Sequence, residues 1–194
     1  MKNKRGFTLV EILVALFLTG LVMAGLVGLW VSSSNFASAG KQELLFKNMF
    51  SMAERTLYRD ISEASYVTGG SSLCNRFLTV YKNYSPDLDV PKQGRCFVAP
   101  NANSSYTIVE YCFVNNNIYR AERITACGTQ PPSCVCGTGS KLLLQGVTAQ
   151  PTAAVTADTN MVTISFSAAT TLGREKRPLQ KDFNKTFAFP GGGN

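Results

Sequence analysis

The chain has 194 residues, 45% of them hydrophobic and 16% charged, and its formal net charge is +7. It contains no histidine. That composition excludes the commonest general base and the Ser-His and Cys-His nucleophile pairs. We therefore expect a protein that is not an enzyme and that needs no cofactor.

The chain begins with a basic leader followed by a long apolar segment that holds one acid. Residues 1–5 contain three cations and no anion, and Gly6 follows them. From Phe7 to Val31, 25 residues include a single charged side chain, that of Glu11. This run exceeds the ~20 residues that span a bilayer. A charge inside such a segment is costly and is usually kept for a function.

The string Gly6-Phe7-Thr8-Leu9-Val10-Glu11 resembles the class III signal of type IV pilins and of the pseudopilins of type II secretion. The resemblance implies that a membrane prepilin peptidase cuts between Gly6 and Phe7 and methylates the new amine of Phe7. It also implies an assembly salt bridge from Glu11 to the cationic amine of a neighbouring helix. Opposite charges attract strongly in a low-dielectric medium, so Glu11 would set the register of adjacent helices.

Two other interpretations compete for this segment. Ala37-Ser38-Ala39 has the small-x-small pattern of a signal peptidase site. However, the h-region of a signal peptide has about 7–15 residues, which is shorter than the run here. The second alternative is a plain membrane anchor. Neither alternative explains the string around Gly6 and Glu11.

A second, amphipathic helical pattern follows the apolar run. Residues 32–40 are small and polar, which allows the helix to bend or fray there, but the whole pattern predicts an almost continuous helix from Phe7 to about Ala64. An apolar stripe then returns at helical spacing, formed by Phe46, Phe50, Ala53, Leu57, Ile61 and Ala64. We expect Ser65–Ser72 to end the helix because it contains two glycines. The predicted divisions are a cleaved leader (1–6), a transmembrane or filament-core helix (7–31), its amphipathic continuation (32–64) and a globular domain (65–194).

The globular part shows the pattern of short strands. Apolar and polar residues alternate over Met161–Phe166. Tyr106–Val114 and Ile118–Ile124 flank three asparagines and predict a hairpin, because asparagine tolerates a positive φ. Further strand candidates are Arg76–Tyr81, Lys141–Val147 and Asp182–Phe189. The predicted fold class is α+β and pilin-like, with a long N-terminal helix packed on an antiparallel β-sheet domain.

Six cysteines lie in the globular part, and an even number in an exported domain predicts disulfide bonds. They are Cys74, Cys96, Cys112, Cys127, Cys134 and Cys136. Cys74 with Cys96 is the first pairing that we expect. Cys134 and Cys136 are too close in sequence to pair comfortably with each other, which leaves Cys112 and Cys127 as their partners. Zinc is disfavoured, because the chain has no histidine and no Cys-x-x-Cys pair.

Several charged groups deserve a place among the candidates. Asp87 and Asp89 form an Asp-x-Asp that would suit calcium, although solvated turn residues are the simpler interpretation. Glu110 and Glu122 are interpreted as surface strand residues that pair with Arg120 or Arg123. A basic cluster near the C-terminus predicts either a solvated loop or contacts to DNA phosphates. It is formed by Arg174, Lys176, Arg177, Lys181 and Lys185.

The resemblance implies a structural role in a filament. The implied partners are other pilin or pseudopilin subunits, the prepilin peptidase, the inner-membrane assembly platform and, before assembly, membrane lipid. The implied location is the bacterial inner membrane and then a periplasmic or extracellular filament. Many major pilins have a proline at the position of Gly28, and this chain has none before Pro86. That departure favours a minor pilin or a pseudopilin. The alternative function is an exported adhesin or DNA-binding module that uses the helix only as an anchor.

Overall fold

The computed structural model describes residues 8–71, 73–85, 95–96, 105–129, 132–137, 139–172 and 177–190. The chain divides into two compact units, which are described separately. The first unit comprises Met1–Leu44 and Leu172–Arg177, and the second comprises Leu45–Thr171 and Pro178–Asn194. The division falls within the helix, and residues 45–62 of the helix belong to the second unit.

One long helix, α1, occupies Leu9–Ser62. The almost continuous helix that the sequence predicted is confirmed, and residues 32–40 are helical throughout, without fraying. Small side chains such as Ala37 and Ala39 favour the helix intrinsically, and this propensity outweighs the serines between them. In the first unit, residues 9–31 are all exposed, with Phe17 69% and Trp30 74% accessible.

Apart from two short 3₁₀ helices, Leu73–Asn75 and Ala157–Thr159, the remaining elements are antiparallel strands arranged in three sheets. They are β1 (Tyr66–Ser71), β2 (Arg76–Lys82), β3 (Tyr84–Ser85), β4 (Arg95–Cys96), β5 (Ser105–Val114), β6 (Asn117–Ala126), β7 (Lys141–Gln145), β8 (Thr152–Thr156), β9 (Met161–Leu172) and β10 (Arg177–Ala188). The five-stranded sheet has the order β1-β2-β5-β6-β7, the three-stranded sheet has the order β10-β9-β8, and β3 pairs with β4. This long helix followed by antiparallel sheets is the α+β, pilin-like arrangement that the sequence predicted.

The predicted hairpin is confirmed as β5 and β6. Asn115 and Asn116 connect the two strands with φ values of 49° and 60°. Two consecutive residues with positive φ form the tight turn whose twist matches that of a two-stranded ribbon. The register pairs Tyr111 with Arg120, which places both side chains on the same side of the sheet.

The helix ends at Ser62, ahead of Ser65–Ser72 as predicted, but Tyr66–Ser71 forms the edge strand β1, which was not among the predicted strands. The glycines that suggested a turn instead permit a close approach between strands. A Cβ atom on Gly69 would lie 3.0 Å from the carbonyl oxygen of Ala153 on β8. A side chain at Gly69 would therefore require β8 to move away by a few tenths of an ångström.

The apolar stripe of α1 forms the core of the globular unit, as predicted. All six of its residues, from Phe46 to Ala64, are at most 4% exposed. Phe50 contacts Phe166 of β9 and Phe183 of β10, with ring centroids 5.8 and 5.9 Å apart. The same face of the helix carries one buried charge, Asp60, whose partners are described below.

Candidate functional site: the N-terminal helix and the buried charges

The exposed N-terminal half of α1 is the strongest functional feature of the first unit. It is the one described helix that is long and apolar enough to cross a membrane, judged by length and composition. An 18-residue window in it has a mean hydropathy of 2.6, and none of that window is buried. An apolar surface of this extent requires lipid or the helices of other subunits to cover it.

Glu11 lies in the first turn of α1, where Thr8 and Glu11 form a capping box. The Thr8 backbone N–H donates to Glu11 Oε2 at 2.8 Å, and the Thr8 hydroxyl donates to the same oxygen at 3.0 Å. In return, the Glu11 N–H donates to the Thr8 hydroxyl at 3.3 Å. These bonds satisfy orphan donors at the start of the helix. Sequence reasoning missed Thr8, although the Thr-x-x-Glu spacing before an apolar run is the signal for this motif.

Gly6 and Phe7, the predicted cleavage and methylation residues, lie outside the described residues. Their roles, and the assembly salt bridge of Glu11, stay predictions. In the described chain the Glu11 carboxylate is engaged with Thr8. A neighbouring amine would therefore compete with, or add to, the capping interaction.

In the globular unit, Asp60 is fully buried and is surrounded by cationic and hydroxyl donors from the five-stranded sheet. Arg120 donates through Nε to Oδ2 at 2.6 Å and through Nη2 to Oδ1 at 3.1 Å. Lys82 Nζ donates to Oδ1 at 3.0 Å, and the Tyr111 hydroxyl donates to Oδ2 at 2.6 Å. These donors come from β2, β5 and β6, so one helical carboxylate ties three strands to α1.

The protonation of this cluster follows from its partners. Burial by itself raises the pKa of Asp60, but the hydrogen bonds from Arg120, Tyr111 and Lys82 outweigh burial, and the net pKa lies below 3.8. Burial, together with the nearby Asp60 carboxylate, raises the pKa of the Tyr111 hydroxyl. The phenol therefore stays protonated and remains a donor to the carboxylate.

The prediction that Glu110 is a surface strand residue is wrong, because its side chain is only 1% exposed. Arg76 Nη1 donates to Glu110 Oε1 at 2.7 Å. The other oxygen, Oε2, accepts from the N–H groups of Val135 and Cys136 at 2.7 and 2.9 Å. The alternation of β5 turns Glu110 to the face of the sheet opposite α1, where residues 132–137, the cysteine-rich segment, cover it. A single acidic residue within a predicted strand does not indicate that another segment will bury it.

Glu122 behaves as predicted: it is 46% exposed and accepts from Arg120 Nη1 at 2.6 Å.

The six cysteines form three disulfides in the structure. The pairs are Cys74–Cys134, Cys96–Cys127 and Cys112–Cys136, with Cα atoms 6.0, 5.5 and 6.3 Å apart. The expected Cys74–Cys96 pairing is wrong. Cys127, expected to bond Cys134 or Cys136, bonds Cys96 instead, whereas Cys112 bonds Cys136, one of the two partners expected for it. The Cys74–Cys96 expectation rested on proximity in sequence, whereas strand pairing and the folding back of residues 132–137 decide which cysteines meet.

A metal centre finds no support among the described residues. Asp87 and Asp89, the calcium candidates, lie outside them. The one described group with ligand-like spacing is Glu110 with Cys112 and Cys136, whose ligand atoms lie within 4.8 Å of one another. Both sulfurs of this group belong to a disulfide, so neither is the thiolate that binds metal ions.

The basic cluster is partly engaged within the chain. Lys181 Nζ lies 4.4 Å from the centroid of the Phe50 ring, and Lys185 pairs with Glu54. Arg174 and Lys176 lie outside the described residues.

On α1, an open groove of about 420 Å³ faces away from the core and is lined by Asn48, Ser51, Met52, Arg55, Thr56 and Arg59. This set contains no general base or nucleophile pair.

Comparison with known proteins identifies one family model, the prokaryotic N-terminal methylation motif, which matches residues 1–27. No curated protein and no solved structure matches this chain significantly. The matched residues contain the leader, the junction Gly6-Phe7 and Glu11. The chain therefore carries a type IV pilin-like class III prepilin signal, joined to a long helix and an antiparallel β domain.

Proposed function

We propose that this chain is a structural, non-enzymatic minor subunit of a type IV pilus or of a type II secretion pseudopilus. Prepilin peptidase trims it after Gly6, and the chain waits in the inner membrane before it joins a filament. It then assembles through α1, with the amine of Phe7 methylated and Glu11 paired with the amine of a neighbouring subunit. The β-rich unit faces outward, and the subunit initiates or caps the filament.

One observation carries the proposal: the methylation motif runs directly into an apolar helix that is exposed along its whole first half. Among proteins, a helix of this kind is stable only in lipid or packed among other helices. A prepilin signal links the two environments, because the same segment is a membrane anchor before assembly and a filament core afterwards. The lack of a proline before Pro86 supports a minor subunit over a major one.

The test is the mass of the mature chain. The full-length protein is produced with and without prepilin peptidase in a bacterial host, extracted from membranes and measured intact by mass spectrometry. We expect the peptidase to remove residues 1–6 and to add one methyl group at Phe7. A Gly6→Leu variant serves as the uncleaved control. Its larger side chain should not fit the peptidase at the cleavage site, where the native residue is glycine.

Two results would contradict the proposal. A mature end at Gly40 would assign the segment to an ordinary signal peptide, with cleavage after Ala39. An intact Met1 in the presence of active peptidase would leave a plain membrane anchor. Among the described residues of the basic cluster, Lys181 and Lys185 make contacts within the chain, and these contacts do not favour the DNA-binding alternative.

A further inference from the structure

The ion pair between Arg76, which is 19% exposed, and the buried Glu110 holds the segment that carries Cys134 and Cys136. Arg76 Nη1 donates both to Glu110 Oε1 at 2.7 Å and to the Ser133 carbonyl at 3.2 Å. Glu110 Oε2 accepts from the backbone N–H groups of Val135 and Cys136. The two side chains therefore hydrogen-bond to the backbone on both sides of Cys134, and these bonds do not involve the disulfides.

Strand geometry places Arg76 and Glu110 beside Cys112, the disulfide partner of Cys136. Glu110 and Cys112 are two residues apart on β5, so their side chains point to the same face of the sheet. Arg76 is the register partner of Cys112 across β2 and β5. A segment held by Arg76 and Glu110 consequently presents Cys136 to Cys112, while Cys134 is left facing Cys74.

Chain connectivity alone does not make this choice. Exchanging the partners, so that Cys112 bonds Cys134 and Cys74 bonds Cys136, changes each loop by only two residues. Loop-closure entropy varies with the logarithm of loop length, so the two arrangements are almost equal in this respect. Something in the folded chain must discriminate between two cysteines that one residue separates.

We propose that the Arg76–Glu110 pair selects the disulfide pairing of this domain, by fixing the register of residues 133–136 against β5 before the Cys112–Cys136 bond closes. In each closure, two thiols and one molecule of disulfide oxidant, such as oxidised glutathione, give one protein disulfide and two molecules of reduced thiol. Arg76 and Glu110 exchange no electrons; they are positioning residues. Charge-assisted hydrogen bonds supply the preference, because the carboxylate accepts two N–H groups and a guanidinium.

The choice is measured in a background where Cys112 must select. In Cys74→Ser full-length protein, kept in detergent micelles, Cys112 can bond either Cys134 or Cys136, and the other remains a free thiol. The reduced, unfolded protein is refolded in a reduced and oxidised glutathione mixture and then treated with N-ethylmaleimide. Tandem mass spectrometry, with backbone fragmentation between Cys134 and Cys136, locates the label.

With the pair intact, we expect the label to lie predominantly on Cys134. Adding Glu110→Gln should lower the ratio of label on Cys134 to label on Cys136 by about tenfold or more, because hydrogen bonds to a charged group are stronger than those between neutral groups. The amide nitrogen of glutamine would face donors in place of an acceptor. Arg76→Lys keeps the cation but loses the fork, so it should lower the ratio by a smaller factor.

Asp60→Asn is the matched control. It removes another buried carboxylate of the same unit, one that has no hydrogen bond to residues 132–137. We expect it to lower the yield of folded protein without changing the label ratio. A ratio unchanged in both Glu110→Gln and Arg76→Lys would overturn the proposal. So would an equal fall in Asp60→Asn, which would assign the choice to overall stability.

Discussion

The buried Asp60 of α1 and the partly exposed Arg120 of β6 form a two-point ion pair in the globular unit. The guanidinium donates Nε to Oδ2 and Nη2 to Oδ1, at 2.6 and 3.1 Å. The fork of arginine matches the two oxygens of a carboxylate, so the pair defines an orientation as well as a distance. Apolar contacts are non-directional and tolerate a shift of the helix along the sheet, whereas a two-point ion pair does not. We therefore infer that Asp60 sets the position of α1 along the five-stranded sheet.

Replacing Asp60 by asparagine should destabilise the globular unit strongly. The change leaves the charges of Arg120 and Lys82 without their buried partner, and breaking a buried ion pair from one side costs about 3–5 kcal/mol. The free energy of unfolding is measured by denaturant titration of the detergent-solubilised full chain, followed by near-ultraviolet circular dichroism.

The control for this change is Glu122→Gln. Glu122 bonds the same arginine at 2.6 Å but is 46% exposed, so the loss should stay below about 1 kcal/mol. Equal losses in the two variants would show that burial of Asp60 adds nothing to the pair.

The same carboxylate makes stability depend on acid. The pKa of Asp60 is lower in the folded chain than its ordinary value of 3.8. Its contribution is therefore fully present above that ordinary value and is lost as the pH falls through the folded pKa. We expect the melting temperature of the globular unit to decline below about pH 4 in the wild type. In Asp60→Asn the decline over this range should be shallower, and parallel curves for the two proteins would contradict the assignment.

Gly146 is expected to tolerate no side chain. Its φ is +74°, and a Cβ atom there would lie 2.3 Å from the carbonyl oxygen of Ala169 on β9. The Ala169 N–H also donates to the Gly146 carbonyl at 2.7 Å, so the two backbones cannot separate without losing that bond. Gly146→Ala should lower the free energy of unfolding by more than about 2 kcal/mol, because a left-handed conformation alone costs about 1–2 kcal/mol.

Gly128→Ala isolates the contribution of the clash at Gly146. Gly128 has a φ of +85° and nothing within 4 Å of the added atom, so this variant loses only the conformational share. A loss at Gly128 that equals the loss at Gly146 would remove the close approach to Ala169 as a cause.

Glu11 can be tested in a way that separates pairing from capping. Glu11→Ala removes both roles, whereas Glu11→Gln keeps the capping box, which accepts glutamine at this position, and removes the charge. Thr8→Val removes the cap and keeps the charge. If Glu11 pairs with a neighbouring amine, both Glu11 variants should be cleaved normally but incorporated poorly, while Thr8→Val should be incorporated well.

Incorporation is measured as the share of the variant in sheared filaments, relative to the membrane fraction, after immunoblotting. Glu43→Gln, which changes an acid beyond the apolar segment, is the control for a general effect of charge. Normal incorporation of Glu11→Gln would refute the pairing role. A defect confined to Glu11→Ala and Thr8→Val would assign Glu11 to capping alone.

Local periodicity accounts for the parts of the fold that were predictable. The stripe from Phe46 to Ala64 repeats at helical spacing, and each of its residues is buried where the repeat placed it. The hairpin of β5 and β6 followed from alternating strands around asparagines that accept positive φ. By contrast, β1 was not predicted, because glycine at position 69 is typical of a turn. In the structure, the close approach of Ala153, which is distant in sequence, accounts for this glycine.

The charged sites were not predictable for a similar reason. Asp60 looks like one more polar residue on an amphipathic helix, and only the register of β5 against β6 brings Tyr111 and Arg120 to it. Glu110 has the sequence pattern of a surface strand residue, but residues 132–137 cover it in the folded chain. Whether a carboxylate is solvated or buried depends on what folds over it, and no short stretch of sequence contains that information.

By itself, the amino-acid sequence determined the prepilin signal, the apolar helix with its single acid and the strands with clear alternation, because each depends on side chains that are neighbours along the chain. Only the tertiary structure decided the disulfide partners, the burial of Asp60 and Glu110 and the edge strand β1. These features depend on which distant backbones meet, and that outcome is set by the free energy of the whole packed domain.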